Sequence, residues 1–421
     1  MDGDFPLIRG DQSLYFIFND AAGTHTETGG NPMKIEIHGN AYAFENPTDS
    51  AEHNTIFVHY DIYNRSENSY EDTYAGLFVD FDLGYAEDDY IGSDVTRGVA
   101  YVYNGTPVDG SGEPNAYGEN PPLQSLVILG GATMDADYLD NPSGGCNESV
   151  NGLNFGDGII DNERLGMTGF SYFRNTSPNP STTDPNIAPE YYNYLTGKWK
   201  DNSPMLYGGT GHINDPETVG PECKFMFPGA SDPLNWGTNC ESPNGGYNQN
   251  DLYWDEQTMG NQPEDRRGLS ITGPFIFEPG ERQSIDFAFV YARDFDPNDE
   301  KDAIDLMNER IDTLHARVSQ GKIIYLPEYS VGIGEISVEK MKFHVFPNPA
   351  NGDFVNIDLR TTGSATEMYF EILDVTGRVV RSGSLQSGRI QSLNISGIRP
   401  GVYFISIGHD NLRSVQKLIV R

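Results

Sequence analysis

The stretch Ile56-Phe-Val-His-Tyr-Asp-Ile62 decides the fold. Ile56, Val58, Tyr60 and Ile62 alternate with Phe57, His59 and Asp61, and a period of two is that of a strand whose successive side chains face opposite ways. The alternation returns in Ala75, Leu77, Val79 and Phe81. Between the two runs lies the polar Asn64-Arg-Ser-Glu-Asn-Ser69, so the pair reads as a long-looped hairpin. Working outward, Leu14 to Phe18, Met33 to Ile37, Gly98 to Tyr103 and Leu126 to Leu129 read as further strands. Phe275-Ile-Phe277 runs into Pro279-Gly280, a type II turn pair. Ile285, Phe287, Phe289 and Tyr291 then alternate as the returning strand. The 47 Gly, 26 Pro, 24 Tyr and 22 Phe fit short strands between long loops. The fold class is all-β, beginning with a large, loop-rich, sandwich-like domain.

From Asp135 to Met259 the alternation gives way to Gly, Pro, Asn, Asp and recurring aromatics. Aromatics need burial or a partner, so this reads as ordered loops rather than disorder. One amphipathic helix, about 298–319, closes the domain: Ile304, Met307, Ile311, Leu314 and Val318 form an apolar stripe. Asp296-Pro297 supplies a cap and a first-turn proline, Asp299 and Glu300 suit the positive helix end, and Gly321 can end it. A chain of 421 residues exceeds one ordinary core. The expected division is a cargo domain over 1–322, a linker over 323–341 and a second domain over 342–421. That second domain reads as a small, seven-stranded, Ig-like sandwich. Its strands are Phe343 to Phe346, Val355 to Leu359, Met368 to Leu373, Arg378 to Arg381, Ser392 to Ile395, Val402 to Ile407 and Val415 to Val420.

Four motifs follow in order through the last domain. They are Val345-Phe-Pro-Asn-Pro-Ala350, Ile372-Leu-Asp-Val-Thr-Gly-Arg378, Leu393-Asn-Ile-Ser396 with Gly397-Ile-Arg-Pro-Gly-Val-Tyr403, and Lys417-Leu-Ile-Val420. Together they resemble the type A C-terminal sorting domain of type IX secretion cargo in Bacteroidota. The motif positions are Pro347, Asn348, Pro349, Asp374, Gly377, Arg378, Pro400, Gly401, Tyr403 and Lys417. The resemblance implies a sorting role without catalysis, with the secretion translocon and its sortase-like peptidase as partners. It further implies passage through the periplasm to the outer-membrane surface or beyond, and cleavage near Glu328 to Lys340. The cargo is then anchored to lipopolysaccharide or released. An exported chain should open with a charged, then apolar, signal segment. This one opens Met1-Asp-Gly-Asp-Phe-Pro6, so an N-terminal part is expected to be missing. The cargo region resembles uncharacterised exported Bacteroidota proteins, and no activity comes with that likeness.

Charge divides the same way. Residues 341–421 hold nine Lys/Arg and six Asp/Glu, against 18 and 56 in the preceding 340. So acidic a surface repels phosphate backbones and argues against nucleic acid. No apolar run approaches the length of a membrane span. Hard oxygen ligands suit calcium, and Asp80, Asp82, Asp88, Asp89 and Asp94 are the densest group. Asp80 and Asp82 leave their strand on one face, and the loop with Gly84 and Gly92 can bring the others back towards them. A second group is Asp157, Asp161 and Glu163, around the EF-hand-like turn Asp157-Gly-Ile-Ile-Asp161. It departs from that pattern: Leu153 and Arg164 fall where the first aspartate and the bidentate glutamate belong. A solvated acidic loop is the plainer reading of both groups.

Cys146, Cys223 and Cys240 are too few for a disulfide scaffold or a thiolate zinc site. Cys223 and Cys240, the closer pair in sequence, are the expected disulfide, with Cys146 left over. Tyr191, Tyr192, Tyr194, Trp199, Trp236 and Trp254 offer faces for sugar stacking, although buried loop anchors are the commoner use of such residues. The chain lacks Gly-x-Ser-x-Gly, His-Glu-x-x-His and a phosphate loop. The reading leans away from an enzyme, towards a non-catalytic, calcium-stabilised adhesion or binding protein. The alternatives are a secreted hydrolase of polysaccharide and a carbohydrate-binding module of a larger enzyme.

Overall fold

A computed structural model describes residues 9–23, 25–243, 254–295, 302–321, 343–359, 367–374, 378–386, 388–409 and 412–421. The chain forms two compact units, Met1–Tyr329 and Ser330–Arg421. The expected linker and its cleavage region lie outside the described residues.

The described residues of the first unit form twelve strands: β1 (Gln12–Asn19), β2 (Ile35–Ala43), β3 (Thr55–Asn64), β4 (Tyr70–Asp80), β5 (Asp89–Asp94), β6 (Val99–Asn104), β7 (Val108–Asp109), β8 (Gly118–Glu119), β9 (Leu123–Gly130), β10 (Gly169–Arg174), β11 (Arg266–Phe277) and β12 (Arg282–Ala292). A seven-stranded antiparallel sheet runs in the order β1-β2-β3-β12-β9-β6-β5. A three-stranded sheet, β10-β11-β4, lies opposite it, and β7 pairs with β8 at one end. The alternation read in the sequence is two faces of one sheet. Val58, Ile285, Phe287, Leu126 and Ile128 point to the core shared with Phe170 and Tyr172. Phe57, Val99, Val127, Ala288 and Val290 point the other way.

That second face is covered by helix α3 (Ala303–Ser319), which follows the short α1 (Ser50–His53) and α2 (Ala188–Leu195). Met307, Ile311, Leu314 and Val318 are its buried stripe, as the 3–4 spacing predicts. Each contributes about 1.5–3 kcal/mol through burial. The cap differs from expectation. Asp302, not Asp296, accepts the amide of Asp305, and Asp296-Pro297 lies outside the described residues.

Two expected hairpins are corrected. The strands flanking Asn64-Ser69 belong to different sheets, and so do those flanking Pro279-Gly280. Both connections pass from one layer to the other at a single corner built on Asn64. Its buried side chain donates to the carbonyls of Phe277 and Asn68, each at 2.8 Å, and accepts from Ser66. Its backbone meets Glu281 and Gly280 at 3.0 and 2.9 Å. Gly280 has φ +79, the third-position geometry of a type II turn.

The described residues of the second unit form seven strands, β13 (His344–Phe346), β14 (Phe354–Asp358), β15 (Glu367–Asp374), β16 (Val379–Gln386), β17 (Ile390–Asn394), β18 (Gly401–His409) and β19 (Leu412–Val420). They form the sheets β13-β14-β17 and β16-β15-β18-β19, which enclose Val355, Ile357, Ile372, Ile405, Ile407 and Leu418. The all-β sandwich reading holds in both units.

Candidate functional site

The stretch Asp80 to Asp94 is distributed over three places. Asp80 and Asp82, at the exit of β4, meet Asp265 just before β11, with oxygens of all three within 4.8 Å of one another. Arg267 reaches Asp80 at 3.3 Å and Asp265 at 3.4 Å. A guanidinium therefore already balances this group. Asp94 accepts from the Arg97 amide at 2.9 Å and pairs with its guanidinium at 2.8 Å, and Arg97 also forks onto Asp312 of α3.

Asp88 and Asp89 form the third place, where the loop after β4 turns into β5. The amide of Leu83 donates to Asp89 at 3.1 Å and that of Gly110 to Asp88 at 2.9 Å. Asp89 is 0 % exposed. Burial, followed by the nearby charges of Asp88, Asp109 and Asp82, pushes its pKa up to about 9. Asp109, on β7, accepts from the amides of Tyr85 and Tyr117. Sequence reasoning missed Asp109, Asp265 and Asn104, the cross-strand partner of Asp89. Strand register brings in Asn104 and Asp265, Asp109 comes in through its bonds to Tyr85 and Tyr117, and no local motif signals any of them.

The second acidic group is not gathered. Asp157 accepts from Ile159 and Asn162, Asp161 from the amides of Asp137 and Tyr138, and Glu163 from that of Asn141. Among the described residues, the only three His, Cys or acidic side chains whose ligand atoms approach within 4.8 Å are Asp80, Asp82 and Asp265. Leu153 and Arg164, the departures from the EF-hand pattern, instead pair with each other as a backbone bridge.

The cysteine expectation is corrected: Cys146 pairs with Cys240, at a Cα separation of 5.3 Å. Cys223 is 4 % exposed in the main core, and burial raises its thiol pKa. Proximity in sequence failed because the chain between Cys223 and Cys240 passes through Phe225, Met226 and Phe227, which draw the first cysteine inward. The aromatic tract is mostly anchor. Tyr194, Trp199 and Trp254 are 0 % exposed, and the two indole N–H groups donate to Gly211 and Gly209. Tyr191 and Tyr192 are exposed.

A network absent from the sequence reading lies on the α3 side of the large sheet. His59 sits between Asp286, at 2.6 Å, and Asp61, at 3.4 Å. Arg164 donates to Asp286 at 2.9 Å and also to the carbonyls of Gly131, Gly130 and Ser284. Burial alone would lower the His59 pKa, but the two carboxylates outweigh it and hold the pKa above the usual value. Burial, His59 and Ser284 act on Asp61, with a net lowering to about 2.

In the C-terminal unit the motifs contact one another. Asn348, between Pro347 and Pro349, accepts from the Ile419 amide at 2.9 Å and donates to the Lys417 carbonyl at 2.6 Å. The flanking prolines cannot donate, so the asparagine side chain takes the ladder's place. Ala350 and Arg421 continue the pairing through Ile419 and Ala350. Asp374 accepts from Arg378 at 3.0 Å, with Gly377 outside the described residues. Past the turn at Pro400-Gly401, the hydroxyl of Tyr403 donates back to Arg399 at 2.9 Å. Residues 344–421 match the family described as secretion system C-terminal sorting domain. The C-terminal unit is a secretion-system sorting domain. The sorting domain supports the chain's being a type IX secretion cargo protein, delivered to the cell surface or the extracellular space through contact with that machinery. No described helix is long and apolar enough to cross a membrane. No curated protein matches the chain. A solved structure titled a polysaccharide lyase is similar at 8% identity with a TM-score of 0.22, covering 91% of this chain. The chain spans 34% of that structure's length.

Proposed function

We propose that the exported unit is a calcium-stabilised, non-catalytic binding or adhesion protein that works outside the cell. The observation that carries the binding half is β1. It is the outermost strand of the seven-stranded sheet, paired on one side by β2. Leu14, Tyr15, Ile17 and Phe18 on it are 65%, 59%, 53% and 45% exposed. A long edge strand with apolar side chains on both faces is a template for a further partner.

The hydrolase alternative has less to stand on. A cleft of about 240 Å³ is lined by Met134, Phe155, Leu165 and Trp236, with Glu148 the one carboxylate among the described residues that line it, whereas glycoside hydrolysis works with two. Asp61 and Asp286 are both engaged by His59. The test is retention of the full chain on immobilised lipopolysaccharide and extracellular polysaccharide, with release of reducing ends followed in the same wells. Retention without product, weakened about tenfold or more by Leu14→Ser with Ile17→Ser and Phe18→Ser, is the expected result. Sustained product release would replace this reading with the hydrolase.

A further inference from the structure

Two buried side-chain oxygens at the start of β5, Asp89 Oδ1 and Asn104 Oδ1, have no hydrogen-bond partner, and the Asp88 carboxylate beside them takes a bond from the Asn104 side chain. They converge by topology. Asp89 and Asn104 are direct partners across the β5–β6 ladder, where facing Cβ atoms lie about 4.5–5.5 Å apart. Asp88 precedes Asp89 and lies beside the Asn104 side chain. Turning the Asn104 amide over would not relieve them. Its Nδ2 donates to the carbonyls of Thr106 at 2.8 Å and Val108 at 3.3 Å, and a reversed amide would press oxygen against both.

An unpaired buried carboxylate oxygen costs more than a neutral one, and here that of Asp89 stands with an unpaired amide oxygen and a second carboxylate. Of the other acidic groups nearby, Asp80 and Asp265 have Arg267 and Asp94 has Arg97. The charges that act most on Asp89 are the carboxylates of Asp88, Asp109 and Asp82. The surrounding backbone is built tightly around them. Gly84 has φ +69, and a Cβ there would lie 2.0 Å from the carboxylate of Asp109. Asp109 thereby holds the amides of Tyr85 and Tyr117, closing the loop around Asp88 and Asp89.

We infer that Asp88, Asp89 and Asn104 are the protein ligands of a calcium ion, with Asp109 shaping the loop that encloses it. An all-oxygen set suits calcium, which takes 6–8 oxygens and completes its shell from carbonyls or water. The assignment rests on the calcium reading above and moves the ion from Asp80 and Asp82 to the β5–β6 ladder. The rival arrangement is a protonated Asp89 sharing its proton with Asp88 or Asn104.

The full chain, stripped with chelator and then given calcium chloride, is melted as wild type, as Asp89→Asn, as Asn104→Ala and as the Asp80→Asn, Asp82→Asn double variant. Calorimetric titration of calcium runs in parallel. Calcium at 100-fold its Kd should raise the melting temperature of the wild type and the double variant by about 4 °C. Asp89→Asn and Asn104→Ala should melt cooperatively in chelator but gain nothing from calcium. A rise lost in the double variant and kept in Asp89→Asn would leave the calcium reading standing and overturn the seat. No rise or binding in the wild type would overturn both. Asp89→Asn as stable as wild type in chelator would then identify a protonated acid.

Discussion

His59 is held by two carboxylates on one side of the large sheet, and its titration has a definite sign. Its folded pKa is raised by Asp286 and Asp61 against the effect of burial, with Arg9 and Arg164 also facing Asp286. The folded state therefore binds the proton more tightly. The resulting stability is full below the unfolded value of about 6.5 and is lost as pH rises through the folded pKa. His315 acts in the opposite sense. Burial lowers its pKa, so its contribution is present above about 6.5 and is lost as pH falls. Melting of the full chain from pH 5.5 to 9 should show a decline on the alkaline side that is shallower in His59→Gln. An unchanged alkaline limb in that variant would remove His59 from the account. Single residues were the least legible part of the sequence. Nothing local to Asp89 announces Asn104, and nothing near His59 announces Asp286, because each pairing is made by strand register across the sheet.

Elements were more legible than their connections. The alternations at Ile56–Ile62 and Ala75–Phe81 and the stripe of α3 were each visible, since burial writes its period into the chain. The assumption that neighbours in sequence pair in space failed at Asn64, where the side-chain bonds to Phe277 and Asn68 turn the chain from one layer to the other. A polar turn sequence reads the same whether it joins two strands of one sheet or two sheets. In the sorting domain the motifs themselves were readable because short segments carry them. Their mutual contact, Asn348 on Ile419 and Lys417, was not. Asn348→Ala removes two hydrogen bonds from an edge that prolines leave unpaired. It should cost the sorting domain about 1–2 kcal/mol, read as an earlier urea transition of the full chain. It should also lower the amount of protein exported. An unshifted transition would show that the side chain does not serve as a ladder.

At the scale of the whole molecule, the Cys146–Cys240 bond closes a loop with a sequence separation of 94 residues. In the chain-entropy model a closure of that length contributes about 4–5 kcal/mol. Reduction, or Cys240→Ser, should lower the melting temperature by several degrees. Maleimide should label no thiol in the native oxidised protein and one, Cys223, after unfolding without reductant. Labelling of Cys146 in the native state would restore the pairing of Cys223 with Cys240. Charge and texture suggested an acidic first part and a basic C-terminal part, whereas the disulfide depended on how the long loops fold over the core.

The pairing of Asn348 and Ala350 with β19 has one more consequence. The opening motif of the sorting domain is fastened by a strand 71 residues further along the chain. A polypeptide cut short anywhere before β19 carries an address label that cannot assemble, however well its first unit has folded. Delivery thus doubles as a proofreading step, since export selects chains that run through β19.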